Sequence, residues 1–337
     1  MSRLIHICRN AQGVSLIELL VAITIGAILI FGATQVYVDS RKTYEINENA
    51  ARLQETARFA LGVLEPDIRM ANYWGFVKGA GVVTGQASQS TASAGAPTKC
   101  GNNFARDLAL NIDGSNNAYR RNSILTFDND CSAYGPSGAV GSADTLTIRR
   151  ASTVPASSST GRLQICSTRL IAQLVDNSSA CTAAPAGQVN DLIVHAYYVS
   201  QDSIQGNGIP SLRRKTLIAG PEIRDDEIIP GVEDLQIQFG IDPTGNSGAA
   251  QRYVDPDALP AGAQIVAVRL WLLVRSESRE VGFTDDRIYE YADRNASNGV
   301  VDDLNDAAAG TKAYQPNDNF RRLLVSRTIY VRNALGT

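Results

Sequence analysis

One carboxylate stands inside a long apolar run. In Gly13-Val14-Ser15-Leu16-Ile17-Glu18-Leu19-Leu20 it is Glu18, and the stretch stays almost wholly apolar to Val38. A charge at the centre of a membrane helix costs ~2.5–3.5 kcal/mol on insertion scales, so a glutamate kept there implies a cationic partner. The plainer alternative is a side chain close to the membrane surface that snorkels to water.

The cysteines are the second set of reactive groups. Of five, Cys8 precedes the apolar run, and Cys100, Cys131, Cys166 and Cys181 follow it. Four thiols on the exported side of a membrane read as disulfides. Three pairings are open, and Cys100 with Cys131 and Cys166 with Cys181 is favoured because each bond closes a local loop. Zinc is the competing reading. There is no C-x-x-C, and only His6 and His195 could add nitrogen ligands, so no metal is expected.

No other constellation carries chemistry. The chain lacks G-x-S-x-G, P-loop, H-E-x-x-H and dinucleotide fingerprints in a suitable context, so neither a catalytic residue nor a cofactor is expected. Asp128, Asp130 and the run Asp113-Gly114-Ser115-Asn116-Asn117 could offer oxygens to calcium. Neither spacing completes an EF-hand loop, and solvated turns are the reading adopted. Arg213, Arg214 and Lys215 face Glu222, Asp225, Asp226 and Glu227 downstream, as at a polar strand edge and loop.

Val14 to Thr34 supplies 21 residues whose only ionisable side chain is Glu18. At ~1.5 Å per residue that helix spans a hydrocarbon core of ~30 Å. Arg3 and Arg9, with no acid before Gly13, hold the N-terminus in the cytoplasm and send the rest outward. An ordinary secretory signal needs small residues before its cut. Here the candidate pairs are Ile30/Gly32 and Phe31/Ala33, whose bulky first members oppose cleavage. Over the whole chain 31 basic residues face 34 acidic; without Arg3 and Arg9 the balance is 29 against 34, a net charge of −5. That balance gives no basis for nucleic-acid binding through bulk charge.

QGVSLIELLVAITIGAILIFGA resembles the class III signal of type IV pilins and type II secretion pseudopilins. The resemblance implies that a prepilin peptidase cuts between Gly13 and Val14, and that the new amine on Val14 is N-methylated. It also implies that Glu18 meets the cleaved N-terminus of a neighbouring subunit in a filament. Val14 departs from the family's usual phenylalanine. Four residues of helix, ~6 Å, would separate Glu18 from Val14, so its own amine is awkward to reach.

Past the membrane the helix is expected to continue. Ile46, Ala50, Leu53, Ala57, Ala60/Leu61, Leu64 and Ile68 recur at steps of three and four, an apolar stripe on which a sheet should pack. Pro66 should kink or break it, leaving Asp67–Ala71 as a short final turn. Tyr73, Trp74 and Phe76 are expected to cover the base of the helix. Lys78–Lys99 and Ala151–Gly161 read as loops. Strands are expected at Thr145–Arg150, Asp191–Ser200, Ser211–Leu217, Val232–Asp242, Ile265–Ser276 and Arg322–Asn333. The period-two run Val266, Val268, Leu270, Leu272, Val274 should be a central strand.

RLQETARFALGVLEPDIRMANYWGF, PGVEDLQIQFGID, VAVRLWLLVRS and LLVSRTIYVRN resemble the PilW group of larger minor pilins, and the first also the J-type minor pseudopilins; roughly residues 77–190 carry no such motif. K-type pseudopilins resemble this group but typically lack the glutamate. The fold expected is therefore α+β and type IV pilin-like, a long N-terminal helix packed on an antiparallel β-sheet head with long loops. Its division is a cleaved leader at 1–13, a membrane and assembly helix at 14–38, an amphipathic half at 39–71 and an exported head at 72–337.

The resemblance implies a non-enzymatic minor pilin that starts filament assembly at or near the tip. Its partners would be the prepilin peptidase, other minor pilins and the major pilin, a tip adhesin and the inner-membrane assembly platform. The chain would sit in a bacterial inner membrane and then at the cell surface. The alternatives are a J-type pseudopilin of a type II secretion system, or a membrane-anchored binding domain or enzyme.

Overall fold

The computed structural model describes residues 13–89, 99–157, 161–176, 187–220, 222–245, 247–306 and 309–334. Contacts divide the chain into two units, Met1–Ala50 and Ala51–Thr337. Helix α1 runs from Leu16 to Arg69. In the first unit its large apolar side chains face outward all round. In the second, Leu53, Ala57, Ala60, Leu64 and Ile68 are buried at steps of three and four, the stripe a helix lays against a core. Each leucine or isoleucine buried this way contributes roughly 1.5–3 kcal/mol.

The head is built of strands. In chain order they are β1 (Tyr73–Trp74), β2 (Val77–Lys78), β3 (Val83–Thr84), β4 (Ile112–Ser115), β5 (Thr145–Pro155), β6 (Gln164–Ser167), β7 (Ala172–Val175) and β8 (Gln188–Ser200). There follow β9 (Ser211–Ile218), β10 (Glu222–Pro230), β11 (Val232–Asp242), β12 (Arg252–Val254), β13 (Gln264–Arg275), β14 (Asn295–Val301), β15 (Lys312–Tyr314) and β16 (Arg322–Tyr330). An eight-stranded sheet has the order β10-β9-β8-β6-β7-β3, with β5 paired to β8 and β4 to β5. A four-stranded antiparallel sheet has the order β12-β11-β13-β16. The chain passes from one sheet to the other at Gly231, whose φ of 87° is open to glycine alone without strain. A Cβ there would meet the Arg275 carbonyl oxygen at 3.0 Å.

The main core joins the helix stripe to Leu235, Ile237, Phe239, Val268, Leu270, Leu272 and Val274. β13 is the inner strand between β11 and β16, as its alternation requires. A second core gathers Trp74, Val77, Leu163, Ile165, Leu192 and Val194 around the Cys100–Cys131 disulfide.

Six expectations are corrected. α1 continues through Pro66 to Arg69 without a break, and Met70 N–H donates to the Pro66 carbonyl. The proline lies in the last turn, so it removes the donor only for Gly62, an exposed residue that water can reach. Trp74 leaves the helix base for the second core, while Phe76 is half exposed; Gly75, at φ 77°, turns the chain so closely past Ser167 that a Cβ would collide with its hydroxyl. The segment Ala151–Gly161 is not all loop, since β5 extends to Pro155; residues 158–160 lie outside the described ones. Ile112–Ser115 is a buried strand and no solvated turn. Arg213 and Lys215 are buried cross-strand partners of Asp225 and Glu227, because β9 and β10 pair in a register that sets their charges side by side. Within Lys78–Lys99 the described part holds a 3-10 turn at Ala80–Val82 and β3.

Candidate functional site

α1 begins where the sequence supplies a cap. Ser15 Oγ accepts from Glu18 N–H at 3.2 Å, and the Ser15 carbonyl accepts from Leu19 N–H at 3.1 Å. Ser15-Leu16-Ile17-Glu18 thus has the serine-to-glutamate spacing of a capping box, with an acid in the positive first turn. Sequence reading assigned Glu18 to a partner subunit and missed this local role, although S-x-x-E was legible. The helix starts at Leu16, so Gly13 and Val14 lie outside it, and the stretch from Val14 to Glu18 is not helical throughout. Both are exposed, and nothing lies within 4 Å of a Cβ built on Gly13.

Beyond the cap the helix presents an almost wholly apolar surface as far as Val38. The most apolar eighteen-residue window has a mean hydropathy of 2.5 and none of it is buried. Val14, Leu16, Ile17, Ile28, Phe31 and Val36 are each about two-thirds exposed or more. Such a surface requires lipid or another apolar helix.

The other end of α1 carries a group that the sequence did not single out. Asp67 sits on the buried stripe, three residues after Leu64, and is 4% exposed. Its Oδ1 accepts from Arg150 Nη2 at 2.7 Å and Nε at 3.1 Å, and its Oδ2 from Tyr197 Oη at 2.5 Å. His195 Nδ1 contacts the same Oδ2. Burial alone raises the carboxyl's pKa, but the His195 hydrogen bond and charge, the Arg150 charge and the Tyr197 hydroxyl outweigh it and hold Asp67 well below the ordinary carboxylate range. The signal available in the sequence was an acid at a core position of an apolar stripe.

Further buried pairs hold the head together. Arg294 Nε meets Asp234 Oδ2 at 2.8 Å with both side chains fully buried, and Tyr291 Oη donates to the same oxygen at 2.6 Å. Arg322 bonds Glu233 and Asp318. Asp113 lacks such a partner: burial pushes its carboxyl up to about 6, against the charge of Arg149 and bonds from Asn122 and Gly114.

Chemistry beyond packing is not visible among these groups. Among the described residues no three of histidine, cysteine, aspartate and glutamate converge on a metal position. A cleft beside the Cys100–Cys131 disulfide is lined by Asp130, Tyr134, Lys215, Arg224 and Asp225. Three of its charges are engaged: Lys215 pairs with Asp225, Arg224 with Asp226, and Asp130 accepts from Cys100 N–H. Cys100 and Cys131 are bonded to each other as the local-loop argument required. Cys166 is also disulfide-bonded, while Cys181 lies outside the described residues.

A family model described as Type IV Pilus-assembly protein W matches residues 196–333. One described as the prokaryotic N-terminal methylation motif matches residues 8–34. Among solved structures, a type IV-like pilin from Thermus thermophilus aligns over 84% of this chain and 97% of its own, at 11% identity. The TM-score of 0.34 is too low to define a common fold. No curated protein matches the chain.

Proposed function

This chain is a type IV pilin-like protein with a PilW region and an N-terminal methylation motif, and from that premise we propose that it is a minor pilin that starts filament assembly at or near the tip. The observation that carries the reading is the open Gly13-Val14 junction followed, in register, by Glu18 on a helix with wholly exposed apolar flanks. A prepilin peptidase removes residues 1–13, and Val14 becomes the methylated N-terminus. Residues 14–38 hold the chain in the inner membrane with the leader cytoplasmic, 39–71 form the amphipathic half, and 72–337 form the exported head. Glu18 then pairs with the Val14 amine of a neighbouring subunit, where the low dielectric favours a matched pair over a lone charge. The capping bond leaves this role open, since it uses the Glu18 backbone N–H and not its carboxylate.

Bulk supports a position at the end of a filament. After Phe76 the chain has 261 more residues, 337 minus 76, and a shaft subunit must fit its head against copies above and below at every helical step. Other minor pilins and the major pilin contact α1, an adhesin binds above, and the inner-membrane platform drives extrusion. Cys166 and Cys181 form the second disulfide of the head. The protein is not an enzyme, and no cofactor enters.

Quantitative mass spectrometry of sheared filaments tests the reading. The expected result is a mature N-terminus at Val14, heavier by one methyl group, in far fewer copies than the major pilin. An intact Met1, or parity with the major subunit, refutes it. Recovery with a secretion apparatus in place of pili selects the J-type pseudopilin reading, and a chain found in neither is a membrane-anchored domain.

A further inference from the structure

Most outer edges of the two large sheets are protected against pairing with another chain. β10 sets Arg224, Asp225, Asp226 and Glu227 in a row, breaks register between Glu227 and Ile229, and ends on Pro230. β3 has two residues, β12 three, and β4 four that are all buried. Charge, bulges, proline and short length are the devices that keep an edge from recruiting a strand. β16 has no bulge, no proline and no unpaired charge. It runs nine residues, pairs with β13 without a register break, and contains no proline. After Arg322 its only charge is Arg327, which meets Glu65 at 3.1 Å.

The backbone groups that β16 offers follow from hydrogen-bond alternation. Just past its two ends, Val331 N–H donates to the Val266 carbonyl at 3.0 Å and Ser276 N–H to the Arg321 carbonyl at 2.8 Å. Both pairs keep the β13–β16 register, so the odd-numbered residues of this strand are those bonded to β13. In an antiparallel pair bonded and unbonded positions alternate. Leu324, Ser326, Thr328 and Tyr330 therefore turn their N–H and C=O groups outward. No bond from another described residue reaches those backbone groups, and Ser326, Thr328 and Tyr330 are exposed. The main core also runs out to this edge: Leu323, Leu324 and Val325 pack on it but stay only partly buried.

We propose that β16 takes up a fifth strand of the four-stranded sheet, supplied by a different protein of the assembly. The incoming segment is extended and uncharged, with apolar residues on the face of Leu323 and Val325 and hydroxyl-bearing or aromatic ones on the face of Ser326 and Thr328. Its affinity comes from main-chain bonds and its choice of partner from alternate side chains. A second copy of this chain does not fit. Antiparallel pairing of two β16 edges has a two-fold axis normal to the sheet, which reverses the Ala51–Arg69 segment of one copy relative to the other. Subunits that enter one filament through parallel helices cannot pair so. This step rests on the assembly role proposed above.

The test uses the full chain in its own cells, with photoreactive p-benzoylphenylalanine in place of Thr328 and a second change at Ser326. Irradiation is expected to give an adduct whose mass is not that of two copies. Ser326→Pro removes an outward N–H and should abolish the adduct, with thermal unfolding of the purified chain unchanged; Ser326→Ala should keep it. The reciprocal pair, Thr328→Pro with the photoreactive group at 326, guards against a local artefact. Ile329→Pro removes an N–H bonded to β13 and should unfold the head. An adduct that survives both outward prolines, no adduct from a chain that is present in sheared filaments, or unfolding by both outward prolines overturns the proposal. A two-copy adduct overturns the choice of partner. A proline-sensitive adduct from a chain absent from filaments keeps the strand site and refutes the assembly role alone.

Discussion

Asp67→Asn should destabilise the head by about 4 kcal/mol. The carboxylate lies 2.7 Å from Arg150 Nη2, with side chains only 6% and 13% exposed, so solvent screens the pair little. Unit charges about 4 Å apart attract by ~4 kcal/mol at an effective dielectric constant of about 20. Asparagine keeps the volume but leaves Arg150 buried without its counter-charge, and breaking a buried pair from one side costs about 3–5 kcal/mol. Urea unfolding of the full chain in detergent, followed by near-ultraviolet circular dichroism, measures the gap. The pH dependence gives a second reading. Asp67 has a folded pKa below its unfolded value, so its stabilisation is fully present above about pH 4 and is lost as pH falls through the folded value. The gap between wild type and variant should hold from neutral pH to about pH 5 and close only at lower pH. A gap under about 1 kcal/mol at neutral pH would refute the account of Asp67 as the ionic anchor of the helix end.

Glu18→Ala should leave membrane insertion intact or improved, by up to the ~2.5–3.5 kcal/mol charge cost, while recruitment into filaments falls; incorporation at the wild-type level would point to snorkelling. Asp113 has the opposite sign from Asp67, because its folded pKa is raised to about 6. Its contribution is fully present below about pH 4 and lost as pH rises through 6, so the stability of wild type relative to Asp113→Asn should decline by about 2 kcal/mol between pH 4 and 7; a flat difference in denaturation midpoints contradicts this. Peptide mapping of unreduced protein should link Cys166 to Cys181 and leave no free thiol in the mature chain. Cys100→Ser with Cys131→Ser, which opens a 31-residue separation, should cost about 4 kcal/mol on the chain-entropy estimate, read from the shift in unfolding midpoint.

The parts legible in the sequence are those set by neighbours along the chain. The methylation motif over residues 8–34, with its single acid at Glu18 and the apolar run to Val38, is a local signal, and the helical stripe and period-two strands report which face each segment buries. β13 was readable for that reason, since Val266 to Val274 alternate whatever lies beside them. Pro66 was misread because a proline's cost depends on the exposure of the one carbonyl acceptor it leaves without a donor, that of Gly62, and exposure is a tertiary quantity.

Tertiary structure alone decided which distant groups meet. Asp67 finds Arg150, His195 and Tyr197 across separations of 83, 128 and 130 residues, and no periodicity encodes such a convergence. The same holds for Asp113, whose local sequence suits a solvated turn but whose strand is buried against β5, and for Trp74, drawn from the helix base into a second core. The open edge of β16 is the clearest case. Its residues read as an ordinary strand, and whether a strand ends a sheet or lies inside it depends on what the rest of the fold leaves beside it, which no local pattern contains.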